Sequence, residues 1–268
     1  MIDLDAYFAR IGYQGPREPT LETLRALQAL HPAAIPFEAI DVLLDRGIDL
    51  APQAVDAKLI TARRGGYCFE QNNLFLRVLT ALGFQVEGML GRVVWMAPPD
   101  APIPPRTHMA LKVTIDSVDW LADVGFGGAV LTAPLRWAMD EVQATPHEPF
   151  RLRDLGAEVL LETRLEDWTP VYRLSREPQH AIDYELANWF TSAHPTSRFR
   201  QVLMVARTLP QARYALLNNR LTVRGVDGTV ERRELGVDEI EQALAETFGL
   251  PVEPAWRPVI ERAVAASG

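Results

Sequence analysis

At 268 residues, 48% of them hydrophobic and with both charge signs spread throughout, the chain can fill a large core and reads as globular rather than disordered. A formal net charge of −8 argues against a generic nucleic-acid surface, and no apolar run approaches bilayer length, so a membrane span is not expected. One cysteine, Cys68, excludes an internal disulfide and fits a reducing cytoplasmic setting, as does an N-terminus without a secretory pattern; five scattered histidines beside it form no close ligand pairs, so no metal site is expected.

The N-terminal third reads as helical, with one helix over Leu4 to Ile11 and a second after Thr20, an N-cap, through Leu21, Leu24, Leu27 and Leu30. Ile35-Pro36-Phe37-Glu38 reads as a rigid turn opening a helix, with Glu38 favouring its dipole. Gly65 and Gly66 then mark a sharp turn or a close approach immediately before Cys68. Phe75, Leu79 and Leu82 recur at helical spacing before Gly83, and stepping back seven residues from Phe75 reaches Cys68 on the same inward face. A thiol at a helix N-terminus sits where unpaired N–H groups and the helix dipole favour thiolate, which makes Cys68 a candidate nucleophile; inert core filling is the alternative. Arg63 and Arg64 before it suit either a phosphate contact or structural ion pairs.

After Gly83 the pattern changes to short extended segments: Val86 to Trp95, a proline-rich surface loop over Ala97 to Pro105, then His108 to Ile115. Met109, Leu111, Val113 and Ile115 share one face, and His108, Ala110, Lys112 and Thr114 the other. If Asp116-Ser117 is a two-residue turn, Ile115 lies opposite Val118, and Asp123 faces Ala110 as a diagonal neighbour of His108; a four-residue loop moves Asp123 farther away. Val124-Gly125-Phe126-Gly127-Gly128 follows, glycine-rich but with the spacing of neither a dinucleotide fingerprint nor a P-loop. Extended runs over Val130 to Leu135, Phe150 to Arg153, Val159 to Arg164 and Val171 to Leu174 suggest a barrel-like sheet.

Asp183 to Ser192 reads as a helix, followed by strands over Val202 to Thr208 and Tyr214 to Arg224, a turn at Asp227-Gly228 and a return over Thr229 to Arg232. Helices over Asp238 to Phe248 and Trp256 to Ala265 complete a small α/β unit suited to a lid or packing role. The expected class is therefore α+β: a helical bundle over 1–83, a β-barrel over 84–182 and an α/β lid over 183–268.

Cys68, His108 and Asp123 occur as nucleophile, base and carboxylate, in a cysteine-protease-like order of helix then strands. Their surroundings resemble the arylamine N-acetyltransferases in several separated motifs: Arg64-Gly65-Gly66-Tyr67-Cys68-Phe69-Glu70-Gln71-Asn72, Thr107-His108, Asp123-Val124-Gly125-Phe126-Gly127, Ile35-Pro36-Phe37-Glu38 and Pro195-Thr196-Ser197-Arg198-Phe199. One departure is Ala39, where members commonly carry asparagine. The resemblance implies ping-pong acetyl transfer from acetyl-CoA, through a Cys68 thioester, to an arylamine, hydrazine or arylhydroxylamine. It also places Trp95, Thr107, Phe126 and Gly127 near CoA, and Phe37, Phe69, Phe126 and Phe199 around the acceptor, in a monomer or homodimer. The alternatives are an amide synthase-like transfer of a longer acyl chain, a papain- or transglutaminase-like hydrolase, and a non-enzymatic binding module.

Overall fold

The computed structural model describes residues 2–98 and 100–266. Helix α1 (Leu4–Ile11) is capped by Asp3, whose Oδ1 accepts from the Ala6 N–H at 3.0 Å, and α2 (Leu21–Ala34) is capped by Thr20. Leu24 and Leu27 turn fully into the core, as the leucine spacing requires. Buried Arg10 on α1 donates to the carbonyls of Ala34 at 2.6 Å and Leu59 at 2.9 Å, tying the end of α2 to the segment that leads into the cysteine turn. The Ile35–Glu38 segment is more than a helix-start turn, since Phe37–Glu38 forms a short strand, β1, before the one-turn helix α3 (Ile40–Leu43). Helix α4 (Pro52–Asp56) widens into a π turn over Ala57–Thr61, and α5 (Cys68–Ala81) follows.

Seven antiparallel strands then form a curved sheet: β2 (Gln85–Val93), β3 (Arg106–Ile115), β4 (Val118–Ala122), β5 (Leu135–Arg136), β6 (Phe150–Asp154), β7 (Glu158–Arg164) and β8 (Trp168–Ser175), in the order β5-β4-β3-β2-β8-β7-β6. Asp116 and Ser117 have φ of 49° and 62°, the left-handed pair that a two-residue hairpin turn needs, and Ile115 does lie opposite Val118. Beyond β5 the chain bridges Met139 to Leu152 and Gln143 to Phe150 on β6, so the two edges are joined and the sheet nearly closes as a barrel. The extended run expected over Val130–Leu135 is instead an irregular segment with only Leu135 in a strand; Val130 and Leu131 are buried as core filling, which apolar content alone does not distinguish from a strand. Trp95 lies in a turn past the end of β2, and within the loop expected over Ala97–Pro105, Pro99 lies outside the described residues.

Helix α6 (Ala181–Ala193) leads to a second antiparallel sheet of β9 (Met204–Leu209), β10 (Ala212–Leu217), β11 (Arg220–Gly225) and β12 (Val230–Glu234), with β1 added at its edge to give the order β1-β9-β10-β11-β12. The run expected over Tyr214–Arg224 is thus two strands, broken at Asn218-Asn219, where Asn218 takes a φ of 51° that asparagine tolerates. Helices α7 (Val237–Glu246) and α8 (Arg257–Ala265) cover one face of this sheet through Ile240, Leu244, Trp256 and Ile260, packed with Val205, Leu216 and Leu221. Among the described residues no helix is long and apolar enough to cross a membrane.

Candidate active site

The turn before α5 is set by what presses on it. Gly65 and Gly66 are absent from the left-handed region, so their role is close approach: a Cβ on Gly65 would collide with the Pro36 carbonyl oxygen. Phe37 forms a parallel bridge to Gly66, and the Glu70 carboxylate accepts the Tyr67 N–H at 3.0 Å, fixing the first turn of the helix from both sides. Cys68 therefore stands at the first position of α5, 3% exposed, with its thiol 3.5 Å from the Thr107 carbonyl oxygen.

His108 and Asp123 reach the same place from the hairpin. His108 Nε2 is 2.7 Å from Asp123 Oδ2, the contact that the two-residue turn predicts. The other carboxylate oxygen, Oδ1, accepts from the Gly125 N–H at 2.8 Å and from Asn72 Nδ2 at 2.9 Å, so Asp123 is fully occupied and wholly buried. With Nε2 held by the carboxylate, Nδ1 is the ring nitrogen left for the Cys68 thiol. Burial works against a charged His108, but the Asp123 carboxylate and its hydrogen bond, together with Cys68, outweigh it and push the ring up to about 10. Tyr172 lies 4.6 Å from the imidazole centroid and Phe126 stands edge-on at 5.2 Å, so the ring is held between aromatic walls. The Tyr172 hydroxyl is buried near Asp123 without normal hydrogen-bond geometry, and burial followed by that negative charge raises it well above an ordinary phenol.

A cavity of about 760 Å³ opens onto this group. Of the residues singled out in the sequence, Cys68, His108, Trp95, Thr107, Phe126, Gly127, Phe37 and Phe199 all line it. Asp123 sits behind His108, as its complete burial shows. Phe69 does not reach the cavity: one position along the helix from Cys68, its ring is turned about 100° away into the core, where it packs edge-on against Tyr67 at 5.7 Å. Among the described residues no cluster of three or more His, Cys, Asp or Glu side chains is placed to hold a metal ion.

Several supporting residues, among them Asn72 and Gln71 at the end of the cysteine motif, have no role in the sequence reading. Asn72 ties the carboxylate to α5, donating to Asp123 and to the Met109 carbonyl at 2.7 Å while accepting the Val124 N–H at 3.1 Å; its place four residues after Cys68, on the same helix face, is the available clue. Gln71 donates through Nε2 to the Pro36 and Gly66 carbonyls, so its Oε1 accepts from His31 Nε2–H, and His31 Nδ1 accepts from the Tyr7 hydroxyl at 2.8 Å. Burial lowers His31 to about 4, which keeps it neutral in this relay. Arg64 is structural, bound to Glu38, Asp41 and Glu253 and lying 4.7 Å over the Trp256 ring, whereas Arg63 is exposed.

An α+β chain that gathers a buried thiol, imidazole and carboxylate at one cavity has the parts of an acyl-transfer enzyme that works through a thiol, and a family model described as N-acetyltransferase matches residues 20–257. The arylamine N-acetyltransferase of Escherichia coli is 44% identical over 255 residues, covering 94% of this chain and 90% of that protein. A Salmonella typhimurium protein named arylamine N-acetyltransferase / N-hydroxyarylamine O-acetyltransferase is 42% identical over 98% of this chain and 94% of its own. The solved structure of Mycobacterium marinum arylamine N-acetyltransferase in complex with CoA superposes with a TM-score of 0.93 at 40% identity, covering 98% of each chain. This chain belongs to the arylamine N-acetyltransferase family.

Proposed function

We propose that the protein acetylates arylamines and hydrazines at nitrogen, and arylhydroxylamines at oxygen, using acetyl-CoA and a thioester on Cys68. The observation that carries this reading is the His108–Asp123 contact of 2.7 Å beside the Cys68 thiol, at the wall of a cavity of about 760 Å³. His108 takes the thiol proton through Nδ1, the sulfur attacks the acetyl carbonyl, and CoA leaves as its thiol, carrying a proton. The acceptor nitrogen then attacks the thioester, His108 removes the amine proton, and free Cys68 is regenerated with the amide. First-turn amides of α5, which have no intrahelical acceptor, supply donors for the tetrahedral oxyanion.

In this reading Trp95, Thr107, Phe126 and Gly127 flank the CoA arm, while Phe37, Phe126 and Phe199 wall the flat acceptor; the rings of Phe37 and Phe199 lie 6.1 Å apart. The chain divides functionally at residues 83 and 182 into nucleophile, His/Asp and lid units, acting in the cytoplasm as a monomer or homodimer. Incubation with acetyl-CoA followed by intact mass should reveal an acetyl adduct that Cys68→Ala lacks. Addition of an arylamine should discharge it as the N-acetyl product, and an adduct resolved only by water would instead mark a hydrolase.

A further inference from the structure

Only two of the 27 basic side chains are lysines, and the more buried of them, Lys58, lies behind the cysteine turn. A π turn carries it, closed by the Ala62 N–H donating to the Ala57 carbonyl at 2.8 Å, a widening that is frequent at functional sites. Both ends of Lys58 then hold the same loop. Its carbonyl accepts the Arg64 N–H at 3.0 Å, and its ammonium donates to Glu70 Oε1 at 2.7 Å, so the segment from Arg64 to Glu70, with Cys68 inside it, is gripped at its first and last residues.

Glu70 passes this hold on to the nucleophile. Its other oxygen, Oε2, accepts the Tyr67 N–H at 3.0 Å, immediately before Cys68, and the residue is 2% exposed. The charges around it are uneven. Glu38 on β1, Asp41 on α3 and Glu70 on α5 face two inner cations, Lys58 and Arg64, and Asp41 Oδ2 lies between them at 2.8 Å and 3.1 Å; Glu253 and Arg46 stand farther out, paired with each other. Burial raises the Glu70 carboxyl, Lys58 lowers it and the Glu38 charge raises it again, which leaves it above the ordinary carboxylate range even with the ammonium in place. Without Lys58, a carboxyl at this depth takes up a proton, and Asp41, on the other side of the vacated space, is the acceptor for it. Turning toward Asp41 draws Glu70 off the Tyr67 N–H.

We infer that Lys58 is a positioning residue for the Cys68 nucleophile, acting through Glu70 to set the first turn of α5. This rests on the acetyl-transfer reading above for the step it serves. The role lies in which atoms donate, so it has a signature of its own. A glutamine in place of Glu70 accepts the Tyr67 N–H through its oxygen and turns its NH2 to the far side. With Lys58 present that NH2 meets an ammonium, donor against donor; with Lys58 replaced by methionine it meets Asp41, an acceptor. Each single substitution therefore disturbs the turn more than the two together.

Lys58→Met, Glu70→Gln and the double variant are compared with the wild-type full-length protein in two assays: single-turnover acetylation of Cys68 by acetyl-CoA, read by intact mass, and alkylation of Cys68 by iodoacetamide. Each single variant should acetylate about tenfold more slowly at saturating acetyl-CoA, with the half-saturating concentration within about twofold of wild type, because only the placement of the thiol has changed. The double variant should be at least about threefold faster than either single one, an order that two independent losses of structure do not produce. Urea unfolding identifies a variant that fails to fold; should Lys58→Met do so, the double variant against Glu70→Gln decides. Single variants within about twofold of wild type, or a double variant that gains less than about threefold on the folded single ones, overturn the assignment. Iodoacetamide needs no acetyl transfer: wild-type protein that alkylates but never acetylates counts against the acetyl-transfer reading, and the order of the alkylation rates still decides Lys58.

Discussion

Asp123→Asn is the sharpest perturbation of the proposed chemistry because it preserves shape and changes only which atoms donate. In the wild-type protein Oδ1 accepts from Gly125 N–H and Asn72 Nδ2, and Oδ2 faces His108 Nε2. An asparagine NH2 in the Oδ1 position would confront two donors, so the amide turns it toward His108. Nε2 must then accept, which drives the remaining ring proton onto Nδ1, the nitrogen that faces Cys68, and the ring can no longer take the thiol proton there. The same tautomer error in a serine triad costs about 10⁴ in kcat. A thiol needs less activation than a hydroxyl, so a loss of about 10³ is expected here, equivalent to roughly 4 kcal/mol of barrier.

The variant also has a pH signature. Wild-type His108 is pushed up to about 10 from an ordinary value near 6.5, so the stabilisation of the charged ring is fully present below 6.5 and is lost as pH rises through 10. Without the Asp123 charge, burial dominates and the folded ring falls below its ordinary value, which makes the stability gap between the two proteins narrow as pH rises. Steady-state acetylation at pH 7, urea unfolding from pH 6.5 to 10 and the NMR titration of the His108 Cε1 proton read these effects. Activity within tenfold of wild type, or an unmoved titration, would refute the orienting role of Asp123.

Arg64→Ala strands the fully buried Glu38 without its ion-pair partner, a loss of about 3–5 kcal/mol and a fall in Tm of about 10 °C by calorimetry; Arg64→Lys should restore only part of it, and a Tm within 2 °C of wild type would contradict the buried-network account. His31, lowered by burial to about 4, stays neutral in the folded protein while the unfolded chain takes up its proton below about 6.5, so stability falls by about 2 kcal/mol between pH 6.5 and 5; His31→Gln should remove that part of the slope in urea titrations, and equal slopes would clear His31. Gly125→Ala places a Cβ 2.8 Å from Cys68 Cα and 2.6 Å from Asn72 Nδ2, so it should lower kcat at least tenfold and alter the rate of Cys68 alkylation, whereas unchanged rates of both would show that the hairpin yields freely.

What the sequence made legible was local or set by one register. The helix carrying Cys68 follows from apolar spacing, and the His108–Asp123 contact follows from a two-residue turn, because period-two alternation makes every cross-strand neighbour calculable once the turn is fixed. Phe69 misled because a motif position says nothing about rotation: adjacent helix residues diverge by about 100°, and only its neighbour Cys68 faces the cavity. Val130–Leu135 misled because buried irregular backbone and buried strand share an apolar composition.

The arginines of β11 and β12 that line the cavity were hidden for a different reason, and they separate two kinds of information in the chain. Arg220, Thr222 and Arg224 share a face by alternation alone, but nothing local says that this face looks onto the cavity. That follows only when β1, from the N-terminal segment, pairs with β9, so that Phe37 joins Ala206 and the sheet is carried up against the Cys68 turn. The thiol's environment is thus written in motifs, while the far wall of the cavity is written in a strand pairing between distant parts of the chain. A substitution that loosens the edge strand, such as Phe37→Gly, should therefore slow acetylation of Cys68 at least tenfold, because it removes the bridge that holds Gly66 beneath the thiol while leaving the His108–Asp123 hairpin in place; an unchanged rate, with the His108 titration also unmoved, would mean that the pairing serves the lid sheet alone.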